Sequence, residues 1–187
     1  MDEYNISFKE CRRCVMDTTA QDIIFDKDGV CNFCSEFLER SKSIIYKNSK
    51  QKHKSLEQVV DKLKEKGKGK PYDCVVGVSG GVDSSWVLVK AVEWGLKPLA
   101  VHMDNGWNSE LAQNNIANLV KSLDVDLITH VIDWNEYREL MEAFFDANVI
   151  DVELLYDNAM LGVNYNVANK YGIRNILGGT NQATEGM

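Results

Sequence analysis

The sequence predicts an α/β protein in which a parallel sheet follows a small four-cysteine module. Short apolar runs alternate with helical patterns between residues 72 and 177, and four of the five cysteines form two close pairs near the N-terminus. The 187 residues can bury one main hydrophobic core, and 44% hydrophobic and 26% charged residues are typical of globular proteins. No apolar run is long enough to cross a bilayer, and the N-terminus MDEYNISFKE is polar and acidic, unlike a signal peptide. We therefore expect a soluble, cytoplasmic protein.

The first predicted element is a metal-binding head over residues 1–36. Its ligands are two Cys-x-x-Cys pairs separated by 16 residues, Cys11 with Cys14 and Cys31 with Cys34. This spacing is typical of a structural zinc site, in which each pair supplies two thiolates to one tetrahedral ion. The segment DKDG at residues 26–29 is predicted to form the turn that returns the chain for the second pair. An iron–sulfur cluster and two unrelated pairs of reduced thiols are the alternatives.

Residues 37–70 are predicted to form a basic helical connector. Apolar residues at positions 56, 59, 60 and 63 recur with helical spacing, so that a narrow stripe packs while the lysines stay in water. Residues 40–70 carry eleven Lys and Arg and three acidic residues, whereas the whole chain has a net charge of −7. The basic run is either a solvated helix face and linker or a surface that contacts phosphates. Because the acidic remainder repels a polyanion, we do not expect nucleic acid as a partner.

Residues 71–187 are predicted to form the α/β domain. Apolar runs predict four strands, at residues 74–78, 98–103, 127–132 and 175–177. Helical patterns predict the four helices that connect them, at residues 83–94, 109–123, 137–145 and 154–171. The second of these helices is predicted to turn four side chains inward, Leu111, Ile116, Leu119 and Val120. Strands that alternate with helices in this way predict a parallel sheet with right-handed crossovers.

The segment SGGVDSS, residues 79–85, follows the first strand of this domain and opens its first helix. Backbone N–H groups converge at such a turn, and the positive end of the helix dipole reinforces them, so the turn is a candidate anion site. It lacks the lysine of a Walker A loop and the spacing of a GxGxxG fingerprint. An ordinary tight turn is the alternative that the residues alone leave open.

SGGVDSS resembles the PP-loop of the ATP pyrophosphatases, which include GMP synthetase, NAD synthetase, argininosuccinate synthetase and the tRNA thiolases. The resemblance implies a Rossmann-like adenine-nucleotide α-hydrolase fold, cleavage of ATP to AMP and pyrophosphate, and an adenylated intermediate. It further implies that the loop holds the β- and γ-phosphates and that Asp83 lies near a magnesium ion. The loop residues that receive this role are Ser79, Gly80, Gly81, Asp83 and Ser84.

A narrower resemblance rests on four segments, CRRCVMDTTAQDIIFDKDGVCNFC, SGGVDSS, IDVELLYDNAM and ILGGTNQATEG. Together they are similar to the N-acetyl sugar amidotransferases of lipopolysaccharide and nonulosonic-acid biosynthesis. This resemblance implies an ATP-dependent conversion of an N-acetyl sugar to its acetamidino form, with ammonia supplied by a partner glutaminase. Members of that family extend well beyond GGTN, so we expect a C-terminal part of the domain to be missing from this chain.

The same resemblance implies further site residues at the carboxyl edge of the sheet, where open α/β sheets bind ligands. Asp104 leaves the second strand and is expected near the ribose or the metal, whereas Met103 either packs or contacts adenine. Gly179 and Thr180 leave the fourth strand and either approach the α-phosphate or form a plain turn. Asp157 is expected to position the sugar or ammonia, with helix capping as the alternative. The candidate catalytic residues are Asp83, Asp104 and Asp157.

Three other residues receive their interpretation from their positions in the predicted sheet. Cys74 is expected to be a buried residue of the first strand, and His102 a structural residue of the second. Trp107 follows the second strand and is the tryptophan expected to flank a ligand.

Two other functions remain open: a tRNA thiolase, which needs a reactive cysteine and a basic RNA surface, and a non-catalytic nucleotide-binding subunit.

Overall fold

The computed structural model describes residues 8–42 and 49–180, and within the second segment it describes side chains from residue 53 onward. The chain separates into two units, of which one holds the described residues before Ser55 and the other spans Ser55–Thr180. The division of the chain at residues 36 and 70 stays a prediction. None of the helices in the described part of the chain has the length and apolar character needed to cross a membrane.

The first unit carries the cysteine head. An isolated antiparallel bridge pairs Phe25 with Cys31, and helix α1 (Asn32–Lys42) follows directly. The turn between the two strand positions forms as predicted, because Asp26 Oδ1 accepts a hydrogen bond from the N–H group of Val30 at 2.8 Å. This turn returns the chain to the first cysteine pair.

The second unit contains a four-stranded sheet in the order β3-β2-β1-β4, and every neighbouring pair of strands is parallel. The strands are β1 (Cys74–Gly77), β2 (Pro98–Asp104), β3 (Leu127–Val131) and β4 (Ile176–Leu177). The helices are α2 (Ser49–Gly67), which begins before this unit, α3 (Val82–Glu93), α4 (Glu110–Leu123), α5 (Trp134–Asp146) and α6 (Leu154–Lys170). The α/β fold class with a parallel sheet is confirmed.

Helices cover both faces of β1. On one face, Cys74 and Val76 belong to a core cluster that includes residues of α3, α4 and the end of α2. On the other face, Val75 packs in a cluster with Val101 of β2 and Val167 of α6. Full burial of an aliphatic side chain contributes roughly 1.5–3 kcal/mol. The central strand is therefore held firmly by both layers, and so is the loop that leaves it.

The predicted inward face of α4 is correct for Ile116 but wrong for Leu111, which is 70% exposed. Successive residues of an α-helix are rotated by about 100°. Leu111 consequently lies about 140° around the helix from Ile116, whereas Leu119 and Val120 lie within about 60° of it. The last two pack against the core as predicted.

The apolar stripe of α2 is narrower than predicted. Val60 and Leu63 are buried in the core, whereas Leu56 and Val59 are 37% and 51% exposed. Two side chains thus anchor the described part of this helix, and its lysines at positions 62, 64 and 66 are exposed to solvent.

Candidate functional site

The glycine-rich loop joins β1 to α3 at the carboxyl edge of the sheet. Helix α3 begins after Gly81, which has extended backbone angles and provides no side-chain cap for the first N–H groups of the helix. Within the loop, the N–H group of Ser79 donates to Ser84 Oγ at 3.2 Å, and the two hydroxyl oxygens lie 3.1 Å apart. The loop therefore combines two adjacent hydroxyl groups with an uncapped helix N-terminus, an arrangement suited to phosphate oxygens.

Gly80 is required by the packing of the loop against α4. Its φ of +79° lies in the left-handed region, and a Cβ atom at this position would be 2.5 Å from the carbonyl oxygen of Ala112. Asn115 of the same helix donates its side-chain amide to the carbonyl oxygen of Gly80 at 3.1 Å. The resemblance assigns Gly80 to the phosphate loop, and the structure adds a packing reason for glycine at this position, which is the close contact with α4.

The segment after β4 packs against the start of α3. A Cβ atom on Gly179 would lie 2.9 Å from the carbonyl carbon of Asp83 and 3.0 Å from the backbone nitrogen of Ser84. The structure thus brings the predicted residues of the fourth strand exit directly onto the predicted phosphate loop. Asp83 and Thr180 are both exposed there, whereas Ser84 is partly buried.

A buried hydrogen-bond network connects the exits of β1 and β2. His102 is 6% exposed, and its Nδ1 lies 2.9 Å from the carbonyl oxygen of Val78. The side-chain amide of Asn108 reaches both His102 Nε2, at 3.2 Å, and Asp104 Oδ1, at 3.0 Å. Because the amide nitrogen donates to Nε2, the imidazole hydrogen is assigned to Nδ1 and donates to Val78. His102 is structural, as predicted. It fixes the position of Val78, the residue before Ser79, relative to Asp104.

Asp104 lies at the end of β2 with one carboxylate oxygen already engaged. Its Oδ1 accepts hydrogen bonds from the N–H group of Gly106 at 2.9 Å and from Asn108. Both described hydrogen bonds fall on Oδ1, so Oδ2 is the oxygen that can meet a metal ion or a substrate hydroxyl group. The preceding residue, Met103, is 4% exposed, which favours packing over contact with adenine.

Tyr156 links the predicted site residues Asp104 and Asp157. The pKa of its phenol is raised by burial, and next by the charge of Asp157; Tyr137, Glu153 and Asp104 add to the same effect. The carboxylates of Asp104, Glu153 and Asp157 therefore lie near enough to Tyr156 to raise its pKa, and these side chains are called the acidic region below. Tyr156 is not predicted from the sequence as a site residue, because a tyrosine beside an acidic residue in a helix has no distinctive spacing.

Two exposed tryptophans stand next to this acidic region. Trp107, 65% exposed, and Trp134, 43% exposed, meet edge to face with ring centroids 5.6 Å apart. Trp134 also contacts Tyr137 at a centroid distance of 6.0 Å. Trp107 was predicted to flank a ligand, and the structure leaves it open to solvent. Trp134 was not predicted as a site residue, since nothing in the local sequence distinguishes it from a core tryptophan.

In the first unit, the four predicted metal ligands come together. The Sγ atoms of Cys11, Cys14, Cys31 and Cys34 all lie within 4.8 Å of one another. The Cys11–Cys34 and Cys14–Cys31 sulfur distances are 3.9 and 3.7 Å. A tetrahedral zinc ion with bonds of about 2.3 Å needs sulfur atoms about 3.8 Å apart. The donor set and its spacing therefore fit one zinc ion.

The environment of the cluster shifts the pKa values of Cys11 and Cys14 in opposite directions. Burial opposes ionisation of Cys11, but backbone N–H groups, chiefly those of Arg13 and Cys31, outweigh it and lower the pKa to about 6. The N–H group of Met16 favours ionisation of Cys14, but the hydrogen bond with Cys34 and burial outweigh it and raise the pKa to about 12. The Cys11 thiol therefore ionises more readily than the Cys14 thiol, and a bound cation would balance the charge of the thiolates.

A parallel α/β sheet with an SGGVDSS loop between its first strand and first helix defines the class of PP-loop ATP pyrophosphatases. The family model described as NAD synthase matches residues 49–187, and the chain belongs to this family. This places the chain in the NAD synthase-like group of the PP-loop ATP pyrophosphatase superfamily. The expected narrower membership, among the N-acetyl sugar amidotransferases, stays a prediction.

Solved structures of NAD synthetases share the fold. One of them is the glutamine-dependent NAD+ synthetase of Acinetobacter baumannii, solved with adenosine diphosphate, which is 20% identical in sequence. The similar region covers 68% of this chain and 25% of the synthetase chain, with a TM-score of 0.53. The NH3-dependent NAD synthetase of Campylobacter jejuni, solved with a nitrate ion, is 18% identical with a TM-score of 0.50 over 70% of this chain and 57% of that one. At this level of identity the likeness concerns the fold alone.

A curated relative is more similar in sequence. An uncharacterized protein of Methanocaldococcus jannaschii is 31% identical over 135 residues, which are 71% of this chain and 45% of the relative. The chain thus spans less than half the length of this curated relative and 25% and 57% of the two solved chains.

Proposed function

We propose that the chain is the ATP-activating part of an amidotransferase that converts an acetamido sugar to its acetamidino form. The observation that carries the proposal is the shared sheet edge, where the loop at the uncapped helix N-terminus is connected through Val78, His102 and Asn108 to the carboxylate of Asp104. The uncapped N-terminus suits ATP, and the acidic side chains near Tyr156 suit a neutral, hydroxyl-rich acceptor. The resemblance to the N-acetyl sugar amidotransferases supports the choice of acceptor.

In this proposal the loop of residues 79–84 binds the β- and γ-phosphates. Its backbone N–H groups and the hydroxyl groups of Ser79 and Ser84 donate to the phosphate oxygens. The carboxylates of Asp83 and Asp104 are the oxygen ligands that fit Mg²⁺, which supplies charge neutralisation for the departing pyrophosphate. The network through His102 keeps Asp104 fixed relative to the loop, so little reorganisation is needed when ATP binds.

The reaction needs activation because an amide carbonyl is a poor electrophile. The amide oxygen attacks the α-phosphorus of ATP, pyrophosphate leaves, and the oxygen becomes part of an O-adenylated imidate. Ammonia then attacks the imidate carbon, and AMP leaves with the former amide oxygen. In total, the acceptor gains one nitrogen and loses one oxygen, and a proton is released. Because ATP supplies the activation, the protein contributes mainly orientation and charge neutralisation.

Ammonia from a partner glutaminase is the proposed nitrogen source. The resemblance to the N-acetyl sugar amidotransferases supports this part of the proposal. The family model that matches the chain is described as NAD synthase, so a carboxylate acceptor is the competing choice. The carboxylates of Glu153 and Asp157 repel a negatively charged acceptor and accept hydrogen bonds from a neutral sugar. They therefore favour the acetamido acceptor.

A tRNA thiolase function is disfavoured by the cysteines. Cys74 is completely buried, and burial raises the pKa of its thiol to about 12. The other four cysteines of the chain form the cluster in the first unit. No cysteine of the described carboxyl edge is thus available to carry sulfur.

We further propose that the cysteine cluster holds one structural Zn²⁺. Four thiolates complete a tetrahedral shell, so no coordination position remains for water or substrate. The ion stabilises the head, where three of the four ligands are themselves the buried residues of the core cluster.

The proposed activity is tested with the full-length protein, ATP, ammonium and an N-acetylhexosamine. We expect AMP and pyrophosphate to form only when the sugar is present, and mass spectrometry to show oxygen replaced by NH. Asp104→Asn is expected to lower the rate strongly, whereas Glu142→Gln, which removes an exposed carboxylate from α5, keeps it. Formation of ADP, activation of a carboxylate acceptor instead of the sugar, or ATP binding without turnover would overturn the proposal.

A further inference from the structure

We infer that Trp107 and Trp134 form a stacking platform for the sugar ring of the acceptor. This inference rests on the proposed function and extends it, because it assigns a subsite and a ligand class to residues outside the phosphate loop. Both tryptophans follow strands at the carboxyl edge, Trp107 after β2 and Trp134 at the start of α5 after β3.

The loop before Trp107 is built to hold the two indoles together. Gly106 takes a left-handed φ of +79°, and its Cβ position lies 3.5 Å from Cε3 of Trp134. The N–H group of Gly106 donates to Asp104 Oδ1 at 2.9 Å, and that of Trp107 donates to Asn105 Oδ1 at 3.1 Å. The tight turn thus fixes the indole pair directly to the carboxylate that ends β2.

The exposure of the pair needs an explanation. Two large aromatic side chains that remain 65% and 43% exposed while touching each other form a continuous apolar surface in water, which a ligand can cover. Their exposed fractions show that each indole keeps part of its ring surface accessible. An open aromatic face next to polar acceptors is suited to a pyranose, whose C–H face packs on the ring while its hydroxyl groups reach the polar atoms.

The surrounding groups supply acceptors for hydroxyl groups. Tyr137 contacts Trp134, and Tyr137 and three carboxylates act together on Tyr156. The carboxylates belong to Asp104, Glu153 and Asp157. Carboxylates accept hydrogen bonds from several sugar hydroxyl groups, and they discriminate against a charged acceptor.

Adenine is the competing occupant of an exposed indole. Its single amino group would satisfy few of these acceptors, and its ring nitrogens are themselves acceptors, which carboxylates do not complement. A neutral N-acetylhexosamine matches the aromatic face and the acceptors together. The pair is therefore assigned to the sugar and not to the nucleotide.

The test measures sugar binding and nucleotide binding separately. Saturation-transfer NMR with N-acetylglucosamine and N-acetylgalactosamine, in the presence of a non-hydrolysable ATP analogue, reports contact of the sugar with the protein. We expect Trp107→Ala and Trp134→Ala to weaken sugar binding at least about tenfold, with Trp134→Phe retaining part of it. Trp86→Ala is the matched control, because Trp86 is 59% exposed and packs against Lys90 of its own helix. Calorimetric titration of the ATP analogue should be unchanged in all four variants.

Three outcomes would overturn the platform. Sugar binding that is unaffected in both alanine variants, loss of the ATP analogue in place of the sugar, or absence of sugar binding by the wild-type protein with the analogue bound would each do so. Failure of the wild type to bind the ATP analogue would contradict the proposed function itself, so the two failures are distinguishable. Trp134→Phe keeps an aromatic ring and guards against a result caused by local unfolding.

Discussion

The hydroxyl oxygen of Ser84 accepts a hydrogen bond from the N–H group of Ser79 and lies 3.1 Å from the hydroxyl oxygen of the same residue. This contact closes the loop on itself across the start of α3. It places two hydroxyl donors side by side at the point where the helix N-terminus is uncapped. The loop is thus organised for phosphates before a nucleotide arrives.

Loss of this contact should weaken nucleotide binding. Ser84→Ala removes one hydroxyl donor and releases the N–H group of Ser79, so we expect the affinity for a non-hydrolysable ATP analogue to fall about tenfold, or about 1.4 kcal/mol. Ser85→Ala is the matched control, because Ser85 Oγ donates to the carbonyl oxygen of Gly81 at 2.7 Å within the helix. Calorimetric titration measures both. Equal affinities of the two variants would show that the phosphates bind elsewhere.

Gly80 should be intolerant of any side chain, independently of ligand. Gly80→Ala combines a left-handed φ with a Cβ atom 2.5 Å from the Ala112 carbonyl oxygen, so we expect the free energy of unfolding to fall by at least about 1–2 kcal/mol. Gly162→Ala is the control, because a Cβ atom on Gly162 of α6 meets nothing within 4 Å. Urea denaturation should show the control as stable as the wild type or more so. A Gly80→Ala protein of wild-type stability would contradict the close packing of the loop on α4.

The cysteine cluster should bind one zinc ion per chain. Cys31→Ser removes a buried ligand, so we expect the metal content of anaerobically purified protein to drop and the head to unfold locally. Cys74→Ala keeps all four ligands and should keep the zinc. Elemental analysis measures both variants. Iron in place of zinc would favour a cluster of that metal, and metal content unchanged by Cys31→Ser would contradict the site.

The buried thiol of Cys74 should make stability depend on alkaline pH. Burial, followed by the charge of Asp73, raises its pKa from 9.0 to about 12. Between these values the folded chain keeps a proton that the unfolded chain releases. The buried thiol of Cys74 therefore makes its full contribution to the free energy of unfolding below about pH 9. This contribution is lost as the pH rises toward about 12, with a slope of up to about 1.4 kcal/mol per pH unit.

Cys74→Ala removes this proton from both states. In urea denaturation above about pH 9, we expect the free energy of unfolding of the wild type to fall more steeply than that of the variant. The tyrosines titrate in both proteins, so the difference between the two pH profiles reports the effect of the Cys74 thiol alone. Parallel pH profiles would show that the thiol ionises as easily in the folded state as in the unfolded one.

The elements of the fold could be predicted because their signals are local. The apolar run CVVGV, the polar residues Asn108 and Ser109 as alternative helix caps, and the cysteine spacing each lie within a few residues or a fixed period. In the structure Ser109 is the cap of α4, and its hydroxyl oxygen accepts a hydrogen bond from the N–H group of Ala112 at 3.1 Å. The parallel order of the strands followed from their alternation with helices.

The candidate site could be predicted only in part, because much of it depends on contacts between distant segments. The packing of Gly80 on Ala112 and of Gly179 on Asp83 cannot be read from a local pattern. The same holds for the pairing of Trp134 with Trp107, which is a contact between segments that follow two different strands. Leu111 is a case in which a local signal misleads. Its apolar side chain predicted burial, but its position around the helix places it away from the core and 70% exposed.

The most direct test of the central claim follows the amide oxygen of the acceptor. The full-length protein is incubated with ATP, ammonium and an N-acetylhexosamine that carries ¹⁸O in its acetamido carbonyl group, and the products are analysed by mass spectrometry. Adenylation of the amide predicts that the ¹⁸O label appears in the phosphate of AMP, that pyrophosphate is unlabelled, and that the sugar gains nitrogen. Label in inorganic phosphate together with ADP, or label that stays in an unchanged sugar while ATP is consumed, would contradict the account.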